Sequence, residues 1–178
     1  MYPPSVFMLV ATLFSFVHGR SIARTLPNFT EIKAASAAWQ CDTVKVSQFL
    51  DAATSLTGHD LVTAAEAALT AENNELVQKE VLDRAFTAVA SARDAVDTAD
   101  DTLVRRGTFQ AVVGGLAELT KGDEDTDVVE LIDRINRGRC RDVLPSIDDY
   151  LVQGSKLVGG QNVVLFAERP RNYQKLSY

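Results

Sequence analysis

Residues 75–98 read ELVQKEVLDRAFTAVASARDAVDT, and the spacing of their apolar members decides the fold class. Val77, Val81, Leu82, Ala85, Val89, Ala92 and Val96 recur at helical intervals and make one stripe, with charged residues between them. That period belongs to an amphipathic helix and not to a strand, where apolar and polar residues would alternate. Asn73 or Asn74 stands where a cap is needed, since either side chain can accept from the first free backbone N–H groups.

The same pattern extends outward on both sides. A helix over about 43–56 carries Val46, Phe49, Leu50 and Ala53 at helical spacing and ends before Thr57-Gly58; Asp60 then caps a short one through about Ala71. Downstream, a helix over about 100–119 is weakened at Gly114-Gly115, each glycine costing about 1 kcal/mol against alanine in a helix interior. Asp127 and Glu130 have the spacing of a capping box for a helix ending at Arg137-Gly138, and a last helix over about 143–157 stops at Gly159-Gly160. Short connections favour antiparallel neighbours, so the sequence predicts an all-α fold, an antiparallel bundle of about five or six helices. Beyond it, Val163 to Ala167 reads as a strand or an extended segment packed against helices, and Glu168 to Tyr178 as a tail.

The first residues decide the compartment. Phe7 to Val17 is an apolar stretch interrupted by Thr12 and Ser15, long enough for the hydrophobic region of a signal peptide and too short to span a bilayer. Val17 and Gly19 supply the small residues that signal peptidase accepts. The expected organisation is therefore a signal peptide over 1–19, an N-terminal segment over 20–42, a helical bundle domain over 43–158, and an extended segment with a basic tail over 159–178. A secreted protein of the extracellular space or cell wall follows, with no integral membrane association. Asn28-Phe29-Thr30 is a glycosylation sequon, which makes Asn28 a candidate sugar acceptor.

In an oxidising compartment Cys41 and Cys140 are expected to pair. The bridge would close a loop of roughly 100 residues, worth about 4.7 kcal/mol in the chain-entropy model. The formal net charge of −6 argues against nucleic acid as a partner, because phosphate binding needs clustered Lys and Arg.

Little in the chain points to catalysis. Once His18 leaves with the signal peptide, His59 is the remaining imidazole, and it sits in the Gly58-His59-Asp60 connection, where an exposed loop histidine is the ordinary outcome. A zinc site needs more ligands than this, and no cofactor or metal is expected. The acidic run Asp123 to Asp127 fails the calcium-loop pattern, with Val128 where that loop needs glycine and Arg134 where it needs a bidentate glutamate. A solvated turn leading into a helix N-terminus is the plainer account. Arg105-Arg106 is a dibasic pair within a predicted helix. Arg137, Arg139 and Arg141 around Cys140, with Arg169, Arg171 and Lys175 of the tail, are candidate contacts to an anionic surface. Set against that, arginines at a helix C-terminus complement its dipole and pair with neighbours such as Asp133 and Asp142.

Cys41 through Val44, Val46, Phe49 and Leu50, then Ala67-Ala68-Leu69 leading into the long helix, and Val143-Leu144-Pro145-Ser146-Ile147 near its end, share their spacing with one family. In these residues, over about 41–157, the chain resembles small secreted helical proteins of filamentous fungi, in particular the hydrophobic-surface-binding and cell-wall galactomannoprotein family. The cysteine pair and the basic tail depart from that family's pattern. The resemblance implies a non-catalytic protein of the cell surface or host interface, binding a hydrophobic surface, a lipid or an extracellular protein. Two alternatives stand beside it. One is a secreted lipid carrier, with Gly114-Gly115 opening a cavity between helices. The other is an effector or inhibitor of a host or extracellular enzyme, docking a helix face or the 169–178 tail on its target.

Overall fold

The computed structural model describes residues 26–160 and 164–174; the expected signal peptide over 1–19 lies outside the described residues, as does Lys175. All regular structure among the described residues is helical. In chain order the elements are α1 (Phe29–Ala52), α2 (Gly58–Thr87), α3 (Ala90–Asp100), α4 (Thr108–Leu119), α5 (Val128–Gly138), α6 (Leu144–Leu157) and the single turn α7 (Arg171–Gln174). A 3-10 turn (Ala53–Ser55) extends α1, and two π-helical turns intervene, Asp101–Arg105 after α3 and Arg139–Val143 between α5 and α6.

Helix α1 begins well before residue 43, because Asn28 and Glu31 form a capping box. The Asn28 Oδ1 accepts from the backbone N–H groups of Thr30 and Glu31, at 2.9 and 3.1 Å, while the Asn28 N–H donates to Glu31 Oε2 at 2.7 Å. Most of the segment expected to precede the bundle is thus its first helix. Next, α2 runs without interruption through Asn73-Asn74, both exposed. It stops at Ala88-Val89, where Thr87 Oγ1 donates back to the Asp83 carbonyl and takes up one acceptor of the last turn.

The expected weak point at Gly114-Gly115 is displaced to Gly107, whose φ of +69° supplies the left-handed residue between the π turn and α4. Gly115 lies inside α4 and faces α5: a Cβ there would sit 2.6 Å from Ile135 Cγ1. Close approach of two helices accounts for it, so this glycine does not open the cavity expected of a lipid carrier. Asp127 caps α5 as its position predicts, accepting from the Glu130 N–H at 3.0 Å. Gly138, expected to end that helix, keeps helical dihedrals (φ −66°), and the chain passes through the π turn into α6 until Gly159 (φ +70°).

Helix α1 packs on α2 and α6, α2 on α4, α3 on α6, and α4 on α5. The core they enclose centres on Tyr150, which is fully buried, with Trp39 and Phe86 ring centroids 5.5 and 5.7 Å away. Leu50, Leu82, Phe109, Leu116, Ile147 and Leu151 fill the space around them.

Because its neighbour leaves no room, Gly115→Ala is expected to lower stability by about 1–3 kcal/mol. Gly114, with open space where a Cβ would go, should show the reverse on substitution by alanine, a gain of about 0.5–1 kcal/mol. Urea unfolding of the two variants measures both.

Candidate functional site

The buried face of α2 is apolar at both ends but not through its middle, where the sequence suggests an unbroken stripe. Val77 is 56% exposed, whereas Glu72, Glu75 and Lys79, at i, i+3 and i+7, face the interior with no more than 6% of their surface open. Charges held there need partners. Arg139, at the first position of the π turn between α5 and α6, supplies one. Its Nε donates to Glu72 Oε2 at 3.2 Å, its Nη2 to Glu75 Oε1 at 3.0 Å and its Nη1 to Ser47 Oγ at 3.1 Å. Trp39 Nε1 donates to Glu75 Oε2 at 3.1 Å. Helices α1, α2 and the π turn are therefore tied together by one guanidinium that is itself fully buried. Burial pushes the Glu72 carboxyl above its usual range, and burial together with the neighbouring Glu72 pushes Glu75 well above it.

One turn further along α2, Lys79 Nζ lies 2.8 Å from Asp83 Oδ2 and 2.5 Å from Asp100 Oδ1, and 5.1 Å from the centre of the Tyr150 ring. The Tyr150 hydroxyl donates to Asp83 Oδ1 at 2.8 Å. Burial, and then the Asp83 charge, raise its pKa and keep the phenol neutral.

Over the outer side of α1 lies a strap, residues 164–170 and α7. Its backbone is held by side chains from α1 and α6. Gln40 Nε2 donates to the Phe166 carbonyl at 3.1 Å and Ser47 Oγ to the Glu168 carbonyl at 2.7 Å. Asp148 Oδ1 accepts from the Ala167 N–H and Thr43 Oγ1 from the Glu168 N–H, at 2.7 and 3.0 Å. The Asp51 carboxylate accepts from the Arg171 and Asn172 N–H groups and so caps α7. Between strap and α1 an open cleft of about 530 Å³ is lined by Val44, Gln48, Asp51, Glu168, Arg169 and Asn172, among others. The strap's backbone is fixed while Val164 and Phe166 remain 40% and 52% exposed.

The arginines expected to form one basic face are divided by this arrangement. Arg139 is not a surface residue at all, since the interior carboxyls claim it. Arg137 is exposed and pairs with Asp133, Arg141 is exposed and pairs with Asp142, and half-buried Arg169 donates from Nη2 to Asp148 Oδ2 at 2.6 Å. Arg171 is exposed on α7.

The expected Cys41–Cys140 bridge is corrected: both are free thiols, Cys41 exposed on α1 and Cys140 half-buried in the π turn. Cys140 lies within electrostatic reach of Asp51 and Arg169, and Asp51 stands about 15 Å further along α1 than Cys41 at about 1.5 Å per residue. A disulfide needs Cα atoms within about 7 Å. Burial pushes the Cys140 thiol up to about 11.

Among the remaining candidates, Asn28 is exposed at the start of α1 and His59 is exposed in the first turn of α2. Ser55 Oγ is committed to the Ala52 carbonyl. Asp123 Oδ1 accepts from the Asp125 N–H within its turn. Among the described residues, no group of three or more His, Cys, Asp or Glu side chains is placed to hold a metal ion, and no helix is long and apolar enough to cross a membrane. The interior cluster, and the side chains of α1 and α6 that hold the backbone of the expected extended segment, are what the sequence reading missed. Glu72, Glu75 and Lys79 on one helical face were the available signal, a charged row at a spacing that puts all three on the same side.

Comparison with protein-family models, curated proteins and solved structures finds no match to the chain.

Removing the buried cation leaves two carboxyls without their partner, so Arg139→Met should lower stability at neutral pH by about 3–5 kcal/mol, read from urea unfolding. Thiol titration of the native protein should find Cys41 reacting promptly and Cys140 slowly, with reductant leaving the melting temperature unchanged.

Proposed function

We propose that the chain is a non-catalytic binding protein of the cell exterior that docks on a protein partner through its C-terminal strap. The observation that carries this reading is how the strap is held: helix side chains grip its backbone, and Val164, Phe166 and Arg171 are left facing outward. A segment fixed in this way loses little further conformational freedom when a partner covers it, which is how an effector or inhibitor presents a recognition segment. The expected signal peptide over 1–19 supports an extracellular site of action, and exposed Asn28 is an accessible glycan acceptor for that pathway. The resemblance to secreted hydrophobic-surface-binding proteins agrees with a binding role, and short connections between helices agree with the antiparallel bundle it implies.

Two measurements test the proposal. Expressed from its full sequence in a filamentous fungus, the protein should be recovered from the medium or wall fraction; retention inside cells removes the extracellular half of the reading. For the docking half, Val164→Asp with Phe166→Asp should weaken binding to the extracellular partner about tenfold or more while leaving the circular dichroism spectrum unchanged. Equal binding by the double variant would take the strap out of the interface.

A further inference from the structure

Glu72, Glu75 and Arg139 are all shut away from solvent. Two ionised carboxylates against one guanidinium would leave a net negative charge in a helical interior, the kind of burial that proteins relieve by taking up a proton. The other ionisable groups nearby do not cancel it. Lys79, the next inward residue on α2, is engaged by Asp83 and Asp100, and Asp42 of α1 is matched by Lys45. Cys140 beside Arg139, and Tyr150 of α6, are neutral groups whose pKa values burial raises. From α1, Trp39 and Ser47 bring only neutral dipoles.

The hydrogen bonds also say where the proton goes. Glu72 Oε2 and both oxygens of Glu75 accept N–H donors from Arg139 or Trp39. Glu72 Oε1 is equally buried and meets no donor. An ionised oxygen in that position has neither water nor a hydrogen bond to stabilise it, and an O–H there removes the excess charge without disturbing any existing contact.

We propose that the folded protein carries a proton on Glu72 Oε1 at neutral pH, and that this buried acid makes the domain more stable in mildly acidic than in alkaline medium. Burial raises both carboxyls, Glu75 further than Glu72, as a coupled pair sharing one proton. It is the hydrogen bonds that place that proton on Glu72, because both Glu75 oxygens already accept N–H donors. The direction follows from linkage. Above the ordinary glutamate value of 4.5 the unfolded chain releases the proton and the folded one keeps it. The folding constant then falls about tenfold per pH unit for this one site, until the raised pKa is passed and the slope ends.

Urea unfolding of the full chain, of Glu72→Gln and of Glu75→Gln, from pH 5 to pH 9, tests it. The wild type should lose stability as pH rises. Glu72→Gln places a neutral amide where the neutral acid stood, so the pair's share of the slope should vanish and the variant should exceed the wild type in alkaline medium. Glu75→Gln sets an amide NH₂ against Arg139 or Trp39 donors and should be weaker throughout. Loss of the slope in Glu75→Gln with its retention in Glu72→Gln would overturn the assignment, as would a wild-type profile without the slope. Carboxyl-carbon NMR of the unsubstituted protein gives an answer free of any folding defect. One glutamic acid should remain protonated at pH 7, and finding every glutamate ionised at that pH ends the proposal.

Discussion

A guanidinium with no access to water must be met on every side, and Arg139 meets that demand by joining parts of the chain far apart in sequence. Its three nitrogens reach Glu72 and Glu75 of α2 and Ser47 of α1, so the π turn at 139–143 is fixed relative to the helical hairpin that α1 and α2 form. Such an ionic centre is weak evidence for stability, since apolar side chains of equal volume often stabilise as much or more. What it imposes is register. Sliding α2 by one turn relative to α1 would move Glu75 off Trp39 and Glu72 off Arg139 together, leaving unpaired charges in the core. Apolar packing alone tolerates many arrangements of similar volume, and α2 is rich in alanine along its buried side, offering little shape to choose among them.

How far the sequence discloses this fold depends on which signals are local. The helical period of 75–98 is local, and the all-helical class follows from it. The cap at Asp127 is local and stands where its spacing puts it. Asn28 carries two local signals at once: Asn28-Phe29-Thr30 is a sequon, and Asn28 with Glu31 is the capping box that sets the start of α1. Gly114 and Gly115 against Gly107 show a limit of another sort. Composition marks each as a weak point for a helix, but only the presence of Ile135 opposite Gly115, and the left-handed backbone at Gly107, decide which glycine interrupts a helix and which lets two helices approach.

Arg139 illustrates what no local reading reaches. Flanked by Arg137 and Arg141 and next to Cys140, it resembles its exposed neighbours in every respect that the sequence records. Its burial is set by residues more than sixty positions away on α2, and by a π turn whose wider spacing shifts side chains out of the ordinary helical phase. The cysteines belong to the same category. The expected compartment and the count point to a bridge, while both thiols are free and the helical rise sets Cys41 well away from Asp51, whose charge Cys140 senses. An extended course for the strap is legible in its short apolar run, but the grip of α1 and α6 side chains on its backbone is not, because side-chain composition gives no clue to backbone partners.

The order of these contacts along the chain bears on how the protein comes into being. Glu72 and Glu75 emerge during synthesis well before Arg139, and the outer side of α1 is covered by residues 164–172, made later still. Until those later segments are made, the first two helices therefore lack both their counter-charge and their cover. A chain in that condition has little reason to commit to its final form early. Late-arriving partners for early-made helices postpone closure of the core until the strap has been made.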